Sequence, residues 1–539
     1  MKKISTFAVL LILILQGCQR AADGDYCFHI LSTNDVHGTY FDTDYVDGSL
    51  KNSLMAVNSY VDSIRNAEGK DNVILLDAGD FLQGDNAAYY FNYVDSVAGH
   101  IYPRIAEYMG YDAIIGGNHD IETGHDVYDA LAEDLTNKGI PFLAGNAIRN
   151  DNGKPYFPSY TVIKRNGVKI AVLGYDNANI KAWLNESLWS GMHFESLTDI
   201  VQKDVDMVTK KVKPHIVIVA VHSGTGDGNG KQLENQGLDL YNSLKGVDMV
   251  FCAHDHKAYV TDDGETCLIN TGSHSRNLGH GTINVSLKKG KAVAKSVNAE
   301  LIPIDAAKSD PAMREFFQKD YETVKEFTLR KVGELKKDLN LSDALNGMSD
   351  YINLIHLICL NSSDAKLSIV APLATRGTIK AGTLVYNDLF KLYQYENQLF
   401  KVKFTGKEIK DYLEVSYDGW INADVPTYNY DSMAGLFYTV DKTKPFGSRI
   451  EISGLADGSA FDENATYEVA MTSYRASGGG GLMGKVGIDT DNIEERVTGK
   501  YPEIRELLYD YIQEVRDIDP DVLNTSPLLG GWKFIPEEN

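Results

Sequence analysis

The sequence predicts an α/β protein built from two large layered domains, and three observations carry that prediction. Short β-branched strands alternate with helical stretches from residue 28 to about 305, the pattern of strands buried on both faces. Most of those strands run into Asp, His or Asn rather than into ordinary turn residues. A second alternating pattern fills 335 to the end, after a charged stretch at 306–334 with few helix breakers.

The chain begins with an address. Lys2 and Lys3 precede an apolar run from Phe7 to Leu15. That run is too short to span a bilayer, which takes about 20 residues, and has the length of a signal-peptide core. It ends in Leu15-Gln16-Gly17-Cys18, which resembles a bacterial lipobox. Residues 1–18 are therefore read as a lipoprotein signal peptide. Cys18 is expected to be lipidated, and the mature protein exported, periplasmic or at the cell surface, and tied to a membrane only through that anchor.

Strands are expected at 28–33, 73–77, 113–116, 169–174, 215–221 and 247–252, with helices at 53–66, 100–109, 125–138 and 197–211 between them. Residues 259–302 shift to shorter strands with Gly turns, so further sheet is expected there. Pro311 suits the first turn of a helix, and 309–334 reads as a solvated helix linking the two domains. Beyond it, helices at 348–360, 387–394, 406–415 and 501–514 accompany strands at 366–371, 399–404, 435–440 and 466–472.

Composition narrows the function. With 52 Lys and Arg against 75 Asp and Glu, the net charge is −23. That argues against nucleic-acid polymers as partners, because phosphate backbones are bound by basic excess. It leaves small anionic substrates open, since a bound metal attracts them locally. A charged fraction of 24% and a hydrophobic fraction of 43% exclude disordered and fibrous chains. Five cysteines in 539 residues build no disulfide framework. Cys252 and Cys267 either pair across neighbouring strands or sit as small buried hydrophobes. His356, inside an apolar stretch, is expected to be a core histidine.

In open α/β sheets ligands bind at the carboxyl ends of the strands, and here those ends carry chemistry. The first strand runs into Asn34-Asp35-Val36-His37-Gly38 and the second into Ala78-Gly79-Asp80. The others run into Gly117-Asn118-His119-Asp120, His222-Ser223-Gly224 and Ala253-His254-Asp255-His256. Carboxylate, amide and imidazole ligands suit Mn, Fe, Co or Zn. Seven such groups converging are too many for one ion; with one shared carboxylate, seven make two four-ligand sites. Two ions about 3.5–4 Å apart hold both sides of an in-line phosphoryl displacement.

This ordered set (D-x-H, G-D, G-N-H-D, H, H-x-H) resembles the calcineurin-like metallophosphoesterases. With its C-terminal half, the chain is similar to the two-domain 5′-nucleotidase family, which includes UDP-sugar hydrolase/5′-nucleotidases and 2′,3′-cyclic-nucleotide phosphodiesterases. The resemblance implies a four-layer αββα sandwich at 28–305, a linker helix at 306–334 and a nucleotide-binding α/β domain at 335–539. It implies one divalent metal on Asp35, His37, Asp80 and His256, a second on Asp80, Asn118, His222 and His254, and Asp80 as the bridge. His119 would face the phosphate and protonate the leaving oxygen or stabilise the transition state. Glu122 would orient it, with Asp120 the other acid open to that role.

For the second domain the resemblance points to Arg376, in Ala371-Pro372-Leu373-Ala374-Thr375-Arg376, as a phosphate contact. It points to Tyr430, five residues before Gly435, and Tyr474, before the run 478–481, as rings that sandwich a base. Asn397 and Gly479 complete the expected substrate set. The Asp that bonds ribose hydroxyls in the family is Gly480 here. The expected function is hydrolysis of nucleotides by in-line attack of a metal-bridging hydroxide, giving nucleoside and phosphate. Because metals and rings lie on different domains, closure or rotation of the domains is expected. A 2′,3′-cyclic phosphodiesterase, or a phosphatase for another phosphomonoester, is the alternative that Gly480 keeps open; a UDP-sugar hydrolase is a further one. A non-catalytic surface-binding lipoprotein is the alternative of another class, and it gives no reason for the full metal set.

Overall fold

The computed structural model describes residues 21–95, 99–423, 425–490 and 492–536. The expected signal peptide and Cys18 lie outside these residues, apart from which the chain folds as two α/β domains.

In chain order the principal elements of the first domain are β1 (Gly24–Thr33), α1 (Leu54–Glu68), β2 (Val73–Asp77), α2 (Ile101–Met109), β3 (Ala113–Ile115), α3 (His125–Asn137), β4 (Phe142–Leu143), β5 (Tyr160–Arg165), β6 (Val168–Tyr175), α4 (Leu197–Val212), β7 (Ile216–Val221), α5 (Gly237–Ser243), β8 (Met249–Phe251), β9 (Ala258–Asp262), β10 (Cys267–Thr271), β11 (Asn277–Lys288) and β12 (Lys291–Pro303). They form two six-stranded sheets, ordered β12-β11-β1-β2-β3-β4 and β9-β10-β8-β7-β6-β5.

Alternation along each strand explains the layers. Ile30, Leu76 and Ile115 pack between the sheets against Ile170, Ile218 and Met249. Their neighbours Leu31, Leu75 and Ile114 face outward onto Val57, Ile105 and Leu131 of the helices α1, α2 and α3. On the far side Leu173 and Val219 pack on Val201 and Val205 of α4 and Leu240 of α5. Both faces of each central strand are therefore apolar, which produces the continuous β-branched runs of the sequence. The result is helix, sheet, sheet, helix. Parallel register sets Thr33 opposite Asp77, Asp77 opposite Ile114, and Tyr175 opposite Val221, so the strand ends finish along one rim.

Cys252 and Cys267 are both buried and free. The register places Cys267 opposite Met249, three residues short of Cys252, so the two are not cross-strand partners.

The linker departs from expectation. Residues 309–334 form not one solvated helix but two, α6 (Pro311–Phe316) and α7 (Gln318–Leu329), followed by strand β13 (Lys331–Leu335). Met313, Phe317, Tyr321 and Val324 pack into the core of the first domain, and Phe327 joins that of the second. Arg314 pairs with Asp42, and Arg104 meets Asp320 through two hydrogen bonds of 2.7 and 3.1 Å. Burying Phe317 ends the first helix, and pairing of β13 with Gly382–Val385 ends the second.

The second domain continues with α8 (Asp350–Ser363), β14 (Leu367–Val370), α9 (Tyr386–Leu392), β15 (Gln398–Thr405), α10 (Gly406–Asn422), β16 (Ser432–Ala434), β17 (Leu436–Asp441), β18 (Ile450–Leu455), β19 (Thr466–Thr472), β20 (Val497–Glu503), α11 (Ile504–Val515) and β21 (Gly530–Ile535). Its main sheet is ordered β16-β14-β19-β15-β20, beside a three-stranded sheet β18-β17-β21. Helix α8 is buried almost all round, from Tyr351 to Leu360. His356 on that helix is a core histidine as expected, held between Ser368 Oγ at 2.6 Å and Ser432 Oγ at 3.1 Å. Among the described residues no helix is long and apolar enough to cross a membrane.

Candidate active site

The rim of the first domain brings the seven expected ligands into one place. Asp35, His37 and His256 converge as one group, and Asp80, His222 and His254 as another. Asn118 joins the second group through Oδ1, 2.8 Å from His254 Nδ1. The backbone at the site is unusual. Asp35, His37, Asp80, His254 and His256 all sit at positive φ, between 47° and 71°, a region that disfavours side chains other than glycine. Each strand turns sharply as it leaves the sheet, and this turn aims the next side chain into the rim. Gly117 lets two strand ends close on each other, since a Cβ there would lie 2.4 Å from Asp80 Oδ1.

Fixed hydrogen bonds leave ligand atoms facing inward. His222 Nδ1 lies 2.8 Å from the Ala78 carbonyl and His37 Nδ1 lies 3.2 Å from that of Gln83. Both Nδ1 atoms therefore donate, which aims both Nε2 atoms into the site; Asp80 raises His222 well above its ordinary range against its burial, so a bound cation would take the place of the proton on its Nε2. His222 Nε2 is buried without a hydrogen-bond partner, 3.1 Å from Asp80 Oδ2. His37 Nε2 faces His256 Nε2 at 2.8 Å. Ring nitrogens aimed at one another and at carboxylates call for cations between them, and the all-N/O donor set fits borderline divalent metals. Burial, moderated by His222, raises Asp35 to about 7. Burial lowers His254 to about 3 and His256 to about 4. Against its burial, Asp80 is held well below the usual carboxylate range by His222 and His119.

His119 and Glu122 form a dyad, with Nδ1 2.5 Å from Oε2. Burial works against the imidazolium, but Asp80 and Glu122 outweigh it and raise His119 to about 10. Asp120 is not an alternative partner. It is fully buried and accepts from the backbone N–H groups of Asp80, Phe81, Leu82 and Gly117, which makes it a clamp on the turn that carries Asp80.

Above these residues lies a cavity of about 670 Å³ lined by both domains. Asp80, Asn118, His119, Glu122, His254 and His256 form its floor, and Tyr395, Asn397, Tyr428 and Tyr474 reach it from the second domain. Tyr474 and Asn397, both in the expected substrate set, are thus brought to the cavity wall. Gly479 supports Tyr474 from beneath: a Cβ there would meet the ring at 2.4 Å.

Two expected residues are elsewhere. Arg376 is exposed and does not line the cavity. Tyr430 is buried, stacked on Trp420 with ring centroids 5.0 Å apart. The ring that faces the cavity is Tyr428, 40% exposed, on the turn Thr427–Asn429. A large aromatic partner draws Tyr430 into the core and leaves Tyr428 outside. Nor does Gly480 stand open to receive a ligand. A Cβ there would meet Asn429 Oδ1 at 2.2 Å and Arg475 Nη1 at 2.3 Å.

Arg475 fills that space. Its Nε and Nη2 grip Asp431 at 2.8 and 3.0 Å. Nη2 also donates to the Tyr428 carbonyl at 3.0 Å, and Nη1 to Asn429 Oδ1 at 3.0 Å and the Gly479 carbonyl at 2.5 Å. One buried cation ties the loop of Tyr428 to the loop of Tyr474.

Sequence reasoning also missed His274, whose ring lies 5.2 Å from that of His37, and Trp183, which stacks on His254 at 4.9 Å. His274 follows the end of β10, so a sixth strand end carrying histidine was its signal. Trp183 lies on a loop with no motif.

Two family models match the chain: the calcineurin-like phosphoesterase model over residues 28–258 and the 5′-nucleotidase C-terminal domain model over 331–485. A 2′,3′-cyclic-nucleotide 2′-phosphodiesterase/3′-nucleotidase of Salmonella typhimurium is 25% identical over 88% of this chain and 84% of its own. A 5′-nucleotidase of Vibrio cholerae is 24% identical over 88% of this chain and 90% of its own. A trifunctional nucleotide phosphoesterase protein of Bacillus subtilis is 25% identical over 94% of this chain, which spans only 39% of that longer protein. Among solved structures, a 5′-nucleotidase precursor from Thermus thermophilus has a TM-score of 0.63 at 20% identity, covering 95% of this chain and 100% of its own. A Staphylococcus aureus protein solved with α-ketoglutarate has a TM-score of 0.79 at 21% identity, covering 94% and 99%. The two matched models, in this order and on this fold, carry one conclusion: the chain belongs to the calcineurin-like phosphoesterases that bear a 5′-nucleotidase C-terminal domain.

Proposed function

We propose that the protein is an exported, metal-dependent phosphoesterase that removes phosphate from nucleotides, in the manner of a 5′-nucleotidase. One observation carries this reading: a single cavity has the carboxylate–imidazole floor of one domain and four tyrosines of the other, Tyr393, Tyr395, Tyr428 and Tyr474, on its walls. One ion would be held by Asp35, His37, Asp80 and His256, the other by Asp80, Asn118, His222 and His254. When bound, the two ions supply Lewis acidity, activating water and neutralising phosphate charge.

The chain's own residues do the rest. Carbonyls of Ala78 and Gln83 fix the tautomers of His222 and His37. Glu122 holds the Nδ1 proton of His119, which leaves Nε2 to deliver a proton to the leaving oxygen. Tyr395, Tyr428 and Tyr474 offer apolar faces on which any base can stack. In this structure both domains already line the cavity, so closure would tighten an existing site. The signal sequence at 1–18 supports export and a lipid anchor at Cys18.

A second reading, action on 2′,3′-cyclic nucleotides, is favoured by Gly480. Arg475 occupies the space a side chain would need there, so no carboxylate reads free ribose hydroxyls from that position. A metal-dependent panel of 5′-mononucleotides, 2′,3′-cyclic nucleotides and a UDP-sugar decides between the readings. Absence of turnover on all of them with Mn²⁺, Co²⁺ or Zn²⁺ would refute both.

A further inference from the structure

A second cluster of metal-type ligands lies at the opposite end of β1. Cys27 is eight residues before Asp35, about 26 Å along an extended strand. Cys27 and His29 share the outer face of the sheet with Leu31. His280 and Glu300 face the same way from β11 and β12, where they are cross-strand partners. Glu68 ends α1 beside them.

The hydrogen bonds dictate the tautomers. Glu300 Oε1 lies 2.9 Å from His280 Nδ1, so Nδ1 carries the proton and His280 Nε2 accepts. That nitrogen lies 2.9 Å from His29 Nδ1, which must therefore donate. The lone pair of His29 is left on Nε2. There it faces Cys27 Sγ at 3.7 Å and Glu68 Oε2 at 3.5 Å. The Cys27 thiol donates its proton to that lone pair, and a cation would take the proton's place between the same sulfur and nitrogen.

We propose that Cys27, His29 and Glu68 form a further site for a thiophilic divalent cation of the Zn²⁺ class, with His280 and Glu300 as the chain that orients its imidazole. The separations suit the geometry. Tetrahedral zinc, with bonds of about 2.3 Å to sulfur and about 2.0–2.2 Å to nitrogen and oxygen, sets edges of about 3.6 Å for N···S and about 3.4 Å for N···O. The third edge, between sulfur and carboxylate, is open in this structure, where the three ligand atoms do not all lie within 4.8 Å of one another; rotation of the Glu68 side chain, which is 49% exposed, would close it. Binding releases the Cys27 thiol proton to solvent. The fourth position opens to solvent. A bound ion would staple the first strand to the end of α1. The Glu300–His280–His29 chain is the arrangement by which proteins fix a ligating histidine.

The test uses cobalt as the probe, because the catalytic floor contains no sulfur. The full-length reduced protein is stripped with chelator and titrated with Co²⁺. A thiolate-to-cobalt charge-transfer band is expected, with the intensity of one thiolate–cobalt bond per chain and complete by three equivalents, since the floor takes up two ions without such a band, and Cys27→Ser should lose it. Glu68→Gln should retain the band with affinity weakened about ten-fold. Cys27 is exposed, so the metal-free Cys27→Ser protein should melt like the wild type, which separates lost ligation from misfolding. Absence of the band in the wild type, or its full persistence in Cys27→Ser, would overturn the proposal. Neither result bears on the phosphoesterase reading.

Discussion

The floor and the wall of the cavity are held by opposite means. On the floor, Asp35, His37, Asp80 and His222 are buried, and five ligands sit in left-handed backbone at the ends of three strands. Asp120 and the carbonyls of Ala78 and Gln83 brace them at hydrogen-bond distance. On the wall, the tyrosines lie on loops, and the element that fixes them is one they hide, the Arg475–Asp431 pair. Chemistry is therefore placed by a rigid sheet edge, and recognition by loops pinned from behind. That division predicts floor variants that fail in turnover and wall variants that fail in binding.

The largest expected effect breaks the floor. Asp80→Asn should cost at least about 10³-fold in kcat/KM with an unchanged far-UV circular dichroism spectrum; full activity would remove Asp80 from the site. His119→Ala should lower kcat by about 10²–10⁴-fold. Glu122→Gln should cost less, since it keeps the side chain's shape.

Arg475→Ala tests the pin. It leaves the buried Asp431 without its cation and held by the Tyr412 hydroxyl alone, a change worth about 3–5 kcal/mol of stability. It should also raise KM for nucleotides more than it lowers kcat, because the floor is untouched. An Arg475→Ala protein with wild-type stability and KM would show that the wall needs no such pin.

A smaller effect separates the supporting cores by pH. Burial lowers His356 from 6.5 to about 3 in the folded protein. Between those values the unfolded chain holds a proton that the folded chain lacks. Stability is therefore full above about pH 6.5 and falls on acidification, by up to about 1.4 kcal/mol per pH unit from this residue. Denaturant unfolding at pH 7 and pH 5 should show a shallower pH dependence in His356→Gln than in the wild type.

The floor was legible because ligand chemistry demands particular residue types at strand ends, and strands announce themselves by apolar runs. All seven expected ligands meet there, and the Asp120 ambiguity is one that only geometry resolves. The wall was less legible because stacking asks only for a ring on the correct side of a loop. Tyr428 and Tyr430 are two residues apart and alike in type; what separates them is Trp420, ten residues before Tyr430 in sequence and 5.0 Å away in space. Arg376 was read from residue type and position alone, and it stands exposed, outside the cavity lining. The linker misled for a related reason: its charged surface masks Met313, Phe317 and Val324, which are fully buried.

The division between floor and wall is tested most directly by kcat/KM of Tyr428→Ala on two substrates, a nucleotide and a phosphomonoester that lacks a base. Loss of one stacking ring is worth about 1–3 kcal/mol, so the nucleotide value should fall by about 5–150-fold. The value for the baseless ester should stay at the wild-type level, and Tyr430→Ala should show no such selectivity. Equal losses on both substrates in Tyr428→Ala would contradict the account, because the ring would then serve the floor rather than read the base.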